Sequence, residues 1–323
     1  MTERQASPKG VAAAANRIAG QVTRTPLLPL EYRRARAWIK AECLQQGGSF
    51  KLRGATNRLL LLEPAERTAG VVAFSSGNHA QGIAIAARRL GVPAVIVMPA
   101  DAPAVKVEAT RAAGAEILFY DRASESREEI AAALARERGA VLVPSFDDVD
   151  VIEGQGTAGL EIAEQLGAVP ARVLVPCGGG GLSAGIALAL PGAELVVVEP
   201  EGWDDMGHSL AAGVPVPVRN PAPATRCDAL QTRLVSPLTL GPLLAAGAAA
   251  ASVSEAEIEA AMAFAARELR LVVEPGGAVA LAAWLNGKAG SDEGDIVIVL
   301  SGGNVDPAAY AAILAGQAAL ATR

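Results

Sequence analysis

Lys51 is the residue of this chain whose placement most needs a chemical reason. It lies in Gly47-Gly48-Ser49-Phe50-Lys51-Leu52-Arg53-Gly54, where a glycine-flanked apolar turn runs into a helical stretch over 55–61. At a helix start, the positive end of the helix dipole and the nearby Arg53 both disfavour an ammonium. A lysine driven towards the neutral amine becomes a nucleophile and can join the aldehyde of a cofactor. On this segment alone, a snorkelling lysine with its head in water is the simpler account.

Five more segments could do chemistry. Cys177 is followed by Gly178, Gly179, Gly180 and Gly181 and then by a helical stretch. Consecutive glycines let backbone N–H groups converge on an oxyanion, and a helix N-terminus adds its dipole, which suits a phosphate. The loop is neither a Walker loop nor G-x-G-x-x-G with an acidic residue downstream, so a nucleotide is less favoured. A tight turn with close packing is the alternative. Ser75-Ser76-Gly77-Asn78-His79 also opens a helix. Its hydroxyls, amide and N–H groups suit a carboxylate and a polar ring substituent, although Ser76 or Asn78 could instead cap that helix. His79 is one of only two histidines; a hydrogen-bonded structural role is expected before a catalytic one.

Glu199, Glu201, Asp204 and Asp205 fall within seven residues and could offer hard oxygen ligands to Mg²⁺ or Ca²⁺, or be a solvated loop. Ser301-Gly302-Gly303-Asn304 and Glu274-Pro275-Gly276-Gly277 put polar groups at turns that, read singly, are ordinary turn chemistry.

The elements that must position these groups alternate in type. Strands are expected over 71–75, 94–98, 116–120 and 140–143, with helices over 80–90, 104–113 and 126–138 between them. A second set follows: strands over 173–176, 195–199 and 296–300, and helices over 156–166, 182–190, 254–270, 277–285 and 307–319. This alternation implies α/β architecture with mostly parallel sheets, whose ligands collect after the carboxyl ends of strands. Residues 200–236, rich in proline and glycine, are expected to be irregular.

Composition narrows the class. The 323 residues suffice for two lobes, and the net charge of −6 without a basic aromatic cluster argues against nucleic acid. Cys43, Cys177 and Cys227 are odd in number and widely spaced, giving neither a disulfide framework nor a thiolate metal pattern. No signal peptide or membrane span is evident: the longest apolar run, 238–253, is interrupted by Gly241, Pro242 and Gly247. A soluble cytoplasmic protein is expected.

Taken in order, the segments 49–54, 75–81, 154–157, 178–181, 199–205, 274–276 and 301–306 resemble the fold-type II pyridoxal-phosphate enzymes, in the threonine/serine dehydratase and serine racemase branch. The likeness spans nearly the whole chain. It implies a two-lobed enzyme, each lobe a mostly parallel sheet flanked by helices: a large cofactor-binding domain of residues 1–68 and 147–323, and a small mobile domain of residues 69–146. It implies an imine of Lys51 with pyridoxal phosphate, Phe50 beside the ring, Asn78 on the ring hydroxyl and the glycines 178–181 on the phosphate. Ser301 would face the pyridine nitrogen, and Glu274 belongs to the same lining.

The implied reaction is elimination from L-threonine or L-serine. The substrate carboxylate would lie on Ser75, Ser76, Gly77, Asn78 and His79. Lys51 would take the α-proton, the β-hydroxyl would leave as water, and hydrolysis of the aminoacrylate-type product would give a 2-oxo acid and ammonia. Ser76 matches the position that serves racemases as the acid/base on the opposite face, so a serine racemase or a 3-hydroxyaspartate dehydratase is the alternative. A non-catalytic phosphate-binding protein and a sulfhydrylase are more distant ones. Glu199, the carbonyl of Trp203 and Asp205 match the family's divalent-cation site, although Trp203 departs from the small residue usual there. Cys227-Asp228-Ala229-Leu230-Gln231-Thr232 departs from an Ala-Asp-Gly segment, which leaves the substrate preference open. Arg127 matches a basic residue near the substrate in racemases, or is a solvated helix position. A homodimer is implied, and no regulatory domain is expected after residue 306.

Overall fold

The computed structural model describes residues 4–33, 35–102, 104–290 and 293–321. The chain opens with α1 (Pro8–Ile18) and an antiparallel hairpin, β1 (Leu27–Tyr32) and β2 (Ala35–Ala41). Then come α2 (Lys51–Leu60) and α3 (Pro64–Ala69). The first alternating set follows as expected: β3 (Val71–Phe74), α4 (Asn78–Leu90), β4 (Ala94–Pro99), α5 (Ala104–Ala112), β5 (Glu116–Tyr120), α6 (Arg127–Arg138) and β6 (Val141–Leu142). Its strands form a parallel sheet in the order β5-β4-β3-β6.

The rest of the chain supplies α7 (Val149–Leu166), β7 (Arg172–Pro176), α8 (Gly181–Ala189), β8 (Glu194–Pro200), α9 (Asp205–Ala212), α10 (Pro237–Ala245), β9 (Ala249–Val253), α11 (Glu255–Phe264), α12 (Pro275–Leu285), β10 (Ile296–Leu300) and α13 (Pro307–Ala321). With the hairpin, its strands build a six-stranded sheet ordered β1-β2-β10-β7-β8-β9. All its pairings are parallel except β1 with β2. Strands β7 and β10 are buried along their length and apolar except for Arg172 at the start of β7, as parallel strands covered by helices are.

The expected helix over 254–270 divides into α11 and a π-helical turn, Ala265–Leu269. The apolar run 238–253 separates into α10 and the edge strand β9, and α9 forms inside the otherwise irregular 200–236 stretch. Among the described residues no helix is long and apolar enough to cross a membrane.

Helix α7 begins seven residues before the start expected from the sequence. Asp148 caps it, accepting from Val151 N at 2.9 Å. Gly154 and Gly156 look like helix breakers, but they are contact points. A Cβ on Gly154 would lie 2.6 Å from Gly54 Cα, and one on Gly156 would lie 2.6 Å from Gly185 O. Helix α7 is thus wedged between α2, which carries Lys51, and α8, which follows the glycine loop.

A buried charge cluster locks the other side of α2. Arg53 is fully buried and donates to both carboxylate oxygens of Glu42 at 2.8 Å and to those of Glu161 at 2.7 and 2.8 Å. Lys40, also fully buried, donates to Glu161 Oε2 at 2.6 Å and to Thr25 O at 2.7 Å. Two cations and two carboxylates make the cluster neutral, which is how buried charge is tolerated.

Candidate functional site

Lys51 is the first residue of α2, and Phe50 occupies the N-cap position without a side-chain cap. The residue is half-buried, yet enclosure of its amine lowers the pKa to about 8, through desolvation. Arg53 contributes nothing to that shift, contrary to the sequence argument. Two positions along a helix are roughly 200° apart, and Arg53 is neutralised by Glu42 and Glu161 on the far face. The Lys51 ammonium lies 5.1 Å from the centre of the Phe50 ring and donates to Ser145 O at 2.7 Å.

The segment around Ser301 meets α2 directly. Phe50 N donates to Ser301 O at 3.1 Å, and Ser49 pairs with Gly302. This places Ser301, at the carboxyl end of β10, beside the residue preceding the lysine. Gly302 must be a glycine: its Cβ would fall 2.1 Å from Glu274 Oε1 and 3.0 Å from Asn78 Nδ2.

Asn78, the first residue of α4, is buried and held from both ends. Its Nδ2 donates to Glu274 Oε1 at 2.5 Å, and its Oδ1 accepts from Asn304 Nδ2 at 2.8 Å. Asn304 also donates to Gly47 O at 2.8 Å, tying this group to the turn before Lys51. Glu274 is pushed up to about 8, first by burial and next by the nearby Asp228. Nothing in its own segment singles out Asn304; its position four residues past a parallel strand is the signal that could.

The capping role considered for Ser76 and Asn78 is not what forms. The N-cap of α4 is Gly77, with no side-chain cap, and Ser75 Oγ accepts from Gly77 N at 3.1 Å. An uncapped helix start suits an anion. His79 is buried, and its Nε2 lies 2.9 Å from Val143 O. Burial, and then Lys51, depress its pKa to about 3, so it is neutral at working pH.

Gly178, Gly179, Gly180 and Gly181 are all buried, and Gly180 is the left-handed N-cap of α8 (φ +85°) with no side-chain cap. Side chains here would have no room. A Cβ on Gly179 would lie 2.2 Å from the Phe146 ring, and one on Gly180 would lie 2.5 Å from Met206 Cε. A turn stripped of side chains and opening a helix fits the phosphate tail of a cofactor, and the desolvated Lys51 amine fits its aldehyde.

At β8, Glu199 uses both oxygens on the start of α9, accepting from Met206 N and Gly207 N at 2.9 Å each. Asp205 is buried with neither oxygen hydrogen-bonded, and burial followed by the neighbouring Asp204 raises its pKa to about 7. Trp203 Nε1 donates to Pro223 O at 2.8 Å. Among the described residues no group of three or more His, Cys, Asp or Glu gathers as a metal site.

Residues 18–302 match the sequence pattern of a family described as pyridoxal-phosphate-dependent enzymes. The chain belongs to that family. An L-threo-3-hydroxyaspartate ammonia-lyase from a Pseudomonas species is 45% identical over 311 residues, covering 94% of this chain and 97% of the relative. Maize serine racemase superposes with a TM-score of 0.88 at 35% identity, over 99% of this chain and 100% of that one. A threonine deaminase from T.th. superposes with a TM-score of 0.85 at 42% identity, over 93% and 99%. These are pyridoxal-phosphate enzymes of the ammonia-lyase and racemase group, and the two helix-flanked, mostly parallel sheets are their fold.

Proposed function

We propose that this chain is a pyridoxal-phosphate-dependent ammonia-lyase for 3-hydroxy amino acids: water is eliminated from the substrate, and hydrolysis of the resulting imine takes one water back and releases ammonia, leaving a 2-oxo acid. The observation that carries this reading is the Lys51 amine, enclosed at a helix start, held by a carbonyl and shifted to about 8. A base of that strength exchanges protons near neutral pH.

When bound, the cofactor supplies an electron sink that acidifies the substrate's α-hydrogen. The glycines 178–181 would hold its phosphate and Phe50 would flank its ring. An amide has two N–H bonds, and Asn78 lends one to Glu274, leaving a second for the ring hydroxyl. Ser301 would serve the pyridine nitrogen. The uncapped start of α4, with Ser75, Ser76, Gly77, Asn78 and His79, would orient the substrate carboxylate. That presents the α-hydrogen to the neutral Lys51 Nζ, with Ser76 as the acid/base on the other face.

The unit of residues 69–146 would close over the substrate to exclude water. A divalent cation would sit on Asp205, Glu199 and the Trp203 carbonyl, a reading supported by the unpartnered oxygens of Asp205. The active form would be a homodimer.

L-threonine and L-serine are one choice of substrate and 3-hydroxyaspartate is the other. The second is favoured by Arg127, whose guanidinium lies 5.5 Å from the centre of the Phe74 ring, directly before the carboxylate loop. Its side chain is 43% exposed and also meets Glu128, so it is accessible to a second substrate carboxylate. The deciding experiment measures 2-oxo acid and D-serine formation from L-threonine, L-serine and L-threo-3-hydroxyaspartate, with Arg127→Met alongside. Turnover of hydroxyaspartate that falls about tenfold or more in Arg127→Met selects the dicarboxylate reading. Racemization without any 2-oxo acid would refute the lyase, and phosphate binding without cofactor absorbance would point to a non-catalytic protein.

A further inference from the structure

Residues 143–146 connect β6 of the four-stranded sheet to α7, and they touch three parts of the site at once. Val143 O faces His79 Nε2 at 2.9 Å, at the start of α4. Ser145 O accepts from Lys51 Nζ at 2.7 Å. Phe146 lies along the glycine loop: a Cβ on Gly179 would be 2.2–2.5 Å from its ring atoms, and one on Gly181 would be 3.1 Å from its own Cβ. Two residues on, Asp148 caps α7 and ties the end of the segment to that helix.

A carbonyl only accepts, so the proton on His79 must be at Nε2. The ring is neutral throughout the working range, and the contact with Val143 therefore does not switch with pH. A neutral lysine amine has two N–H bonds and one lone pair. Directing one N–H to a carbonyl fixed in place also directs the lone pair, which is the reacting orbital.

We infer that the Ser145 carbonyl is the docking point of the Lys51 amine whenever that amine is free, and that Phe146 is the positioning residue that sets where this carbonyl lies. Resting on the proposed role of Lys51, this adds a reason for the amine to return to one orientation after each turnover. Filling of the glycine loop would press on Phe146 and pass to the lysine through one peptide. Nothing in the residue pattern marks Phe146 except its place just after a parallel strand.

The test uses Phe146→Ala, Phe146→Leu and Phe146→Tyr in the full chain. In cofactor-free protein, Lys51 is labelled with a small amine-reactive reagent and followed by peptide mass spectrometry. Loss of the ring should free the amine and speed Lys51 labelling about fivefold or more, while Phe146→Tyr labels as the unsubstituted protein does. In loaded enzyme, kcat per bound cofactor should fall about tenfold with KM within about twofold, since a misplacement of order 1 Å is worth up to about 100-fold. Should Phe146→Ala not fold, Phe146→Leu carries the same comparison. Labelling of Lys51 within about twofold in the truncated variants would overturn the inference, whatever the turnover. So would lost cofactor occupancy with normal turnover per occupied site, because that marks Phe146 as a wall of the phosphate loop alone. Failure of the function itself would appear separately, as an unsubstituted enzyme inactive on all three amino acids.

Discussion

Removal of Arg53 tests whether the buried charge cluster beside α2, the helix that begins at Lys51, holds that helix in place. The guanidinium donates to both oxygens of Glu42 and of Glu161, and to the hydroxyls of Thr157 and Thr25, with no exposed surface. Arg53→Ala leaves Glu42 fully buried with Lys40 as its remaining cation. Deleting one partner of a buried ion pair costs about 3–5 kcal/mol, so a loss of about 4 kcal/mol and, for a chain of this length, a fall in Tm of about 6 °C are expected. Since domains are stable by about 5–15 kcal/mol, the variant should still fold at 25 °C.

The pH dependence supplies the sign. In the intact protein Glu42 is lowered from 4.5: burial is the largest influence and raises it, but Arg53, Lys40 and Thr25 together outweigh burial. A depressed carboxylate adds stability that is present above its unfolded pKa and is lost as pH falls through the folded one. Without Arg53, burial dominates and Glu42 rises above 4.5, so its ionisation destabilises the variant as pH increases from about 4.5 towards 7. Urea unfolding from pH 4.5 to 7.5 measures both signs. Adding Glu42→Gln to Arg53→Ala should recover about 2 kcal/mol at pH 7 by removing the unpaired charge. A loss under about 1 kcal/mol, or no recovery in the double variant, would show that water solvates the cluster and that it does not lock the helix.

Lys51→Ala should lower turnover at least about 10³-fold, the upper part of the range for a general base, and borohydride reduction should attach cofactor to no other lysine. Capture of pyridoxal phosphate by the cofactor-free protein should rise with pH to a midpoint near 8, because the neutral amine reacts; a midpoint above about 10 in stopped-flow absorbance would deny the shift. Gly185→Ala puts a Cβ 2.5 Å from Gly156 N and Ile152 O, both backbone atoms. It should cost about 1–3 kcal/mol and weaken cofactor binding by moving α8, measured by melting and by equilibrium dialysis. Mg²⁺ or Ca²⁺ at about a hundredfold its Kd should stabilise the protein by about 2.7 kcal/mol, an effect reversed by a chelator and absent in Asp205→Asn.

The alternation of apolar β-branched runs with alanine-rich stretches is a local property, and it determined the α/β class and most of the parallel strands. Side-chain types decided the candidates in the same way. A lysine among apolar neighbours, four adjacent glycines and a Ser-Ser-Gly-Asn-His turn each carry their chemistry in their own composition. Tertiary structure decided what those neighbours do to one another. The helix expected over 156–166 starts seven residues earlier, and its Gly154 and Gly156 are contacts that let α2 and α8 approach α7. Arg53 reads as a charge pressing on Lys51, but the carboxylates of Glu42 and Glu161, 11 and 108 residues away, cancel it. Asn304 and Phe146 do not stand out from their own segments and acquire meaning through partners 226 residues away at Asn78 and across the glycine loop. Periodicity and composition sample a few neighbouring residues, whereas desolvation, ion pairing and close approach depend on which distant segments fold against each other. The lysine was therefore a candidate from its own segment, where a snorkelling head was the simpler account, while its pKa and its carbonyl partner required the assembled fold.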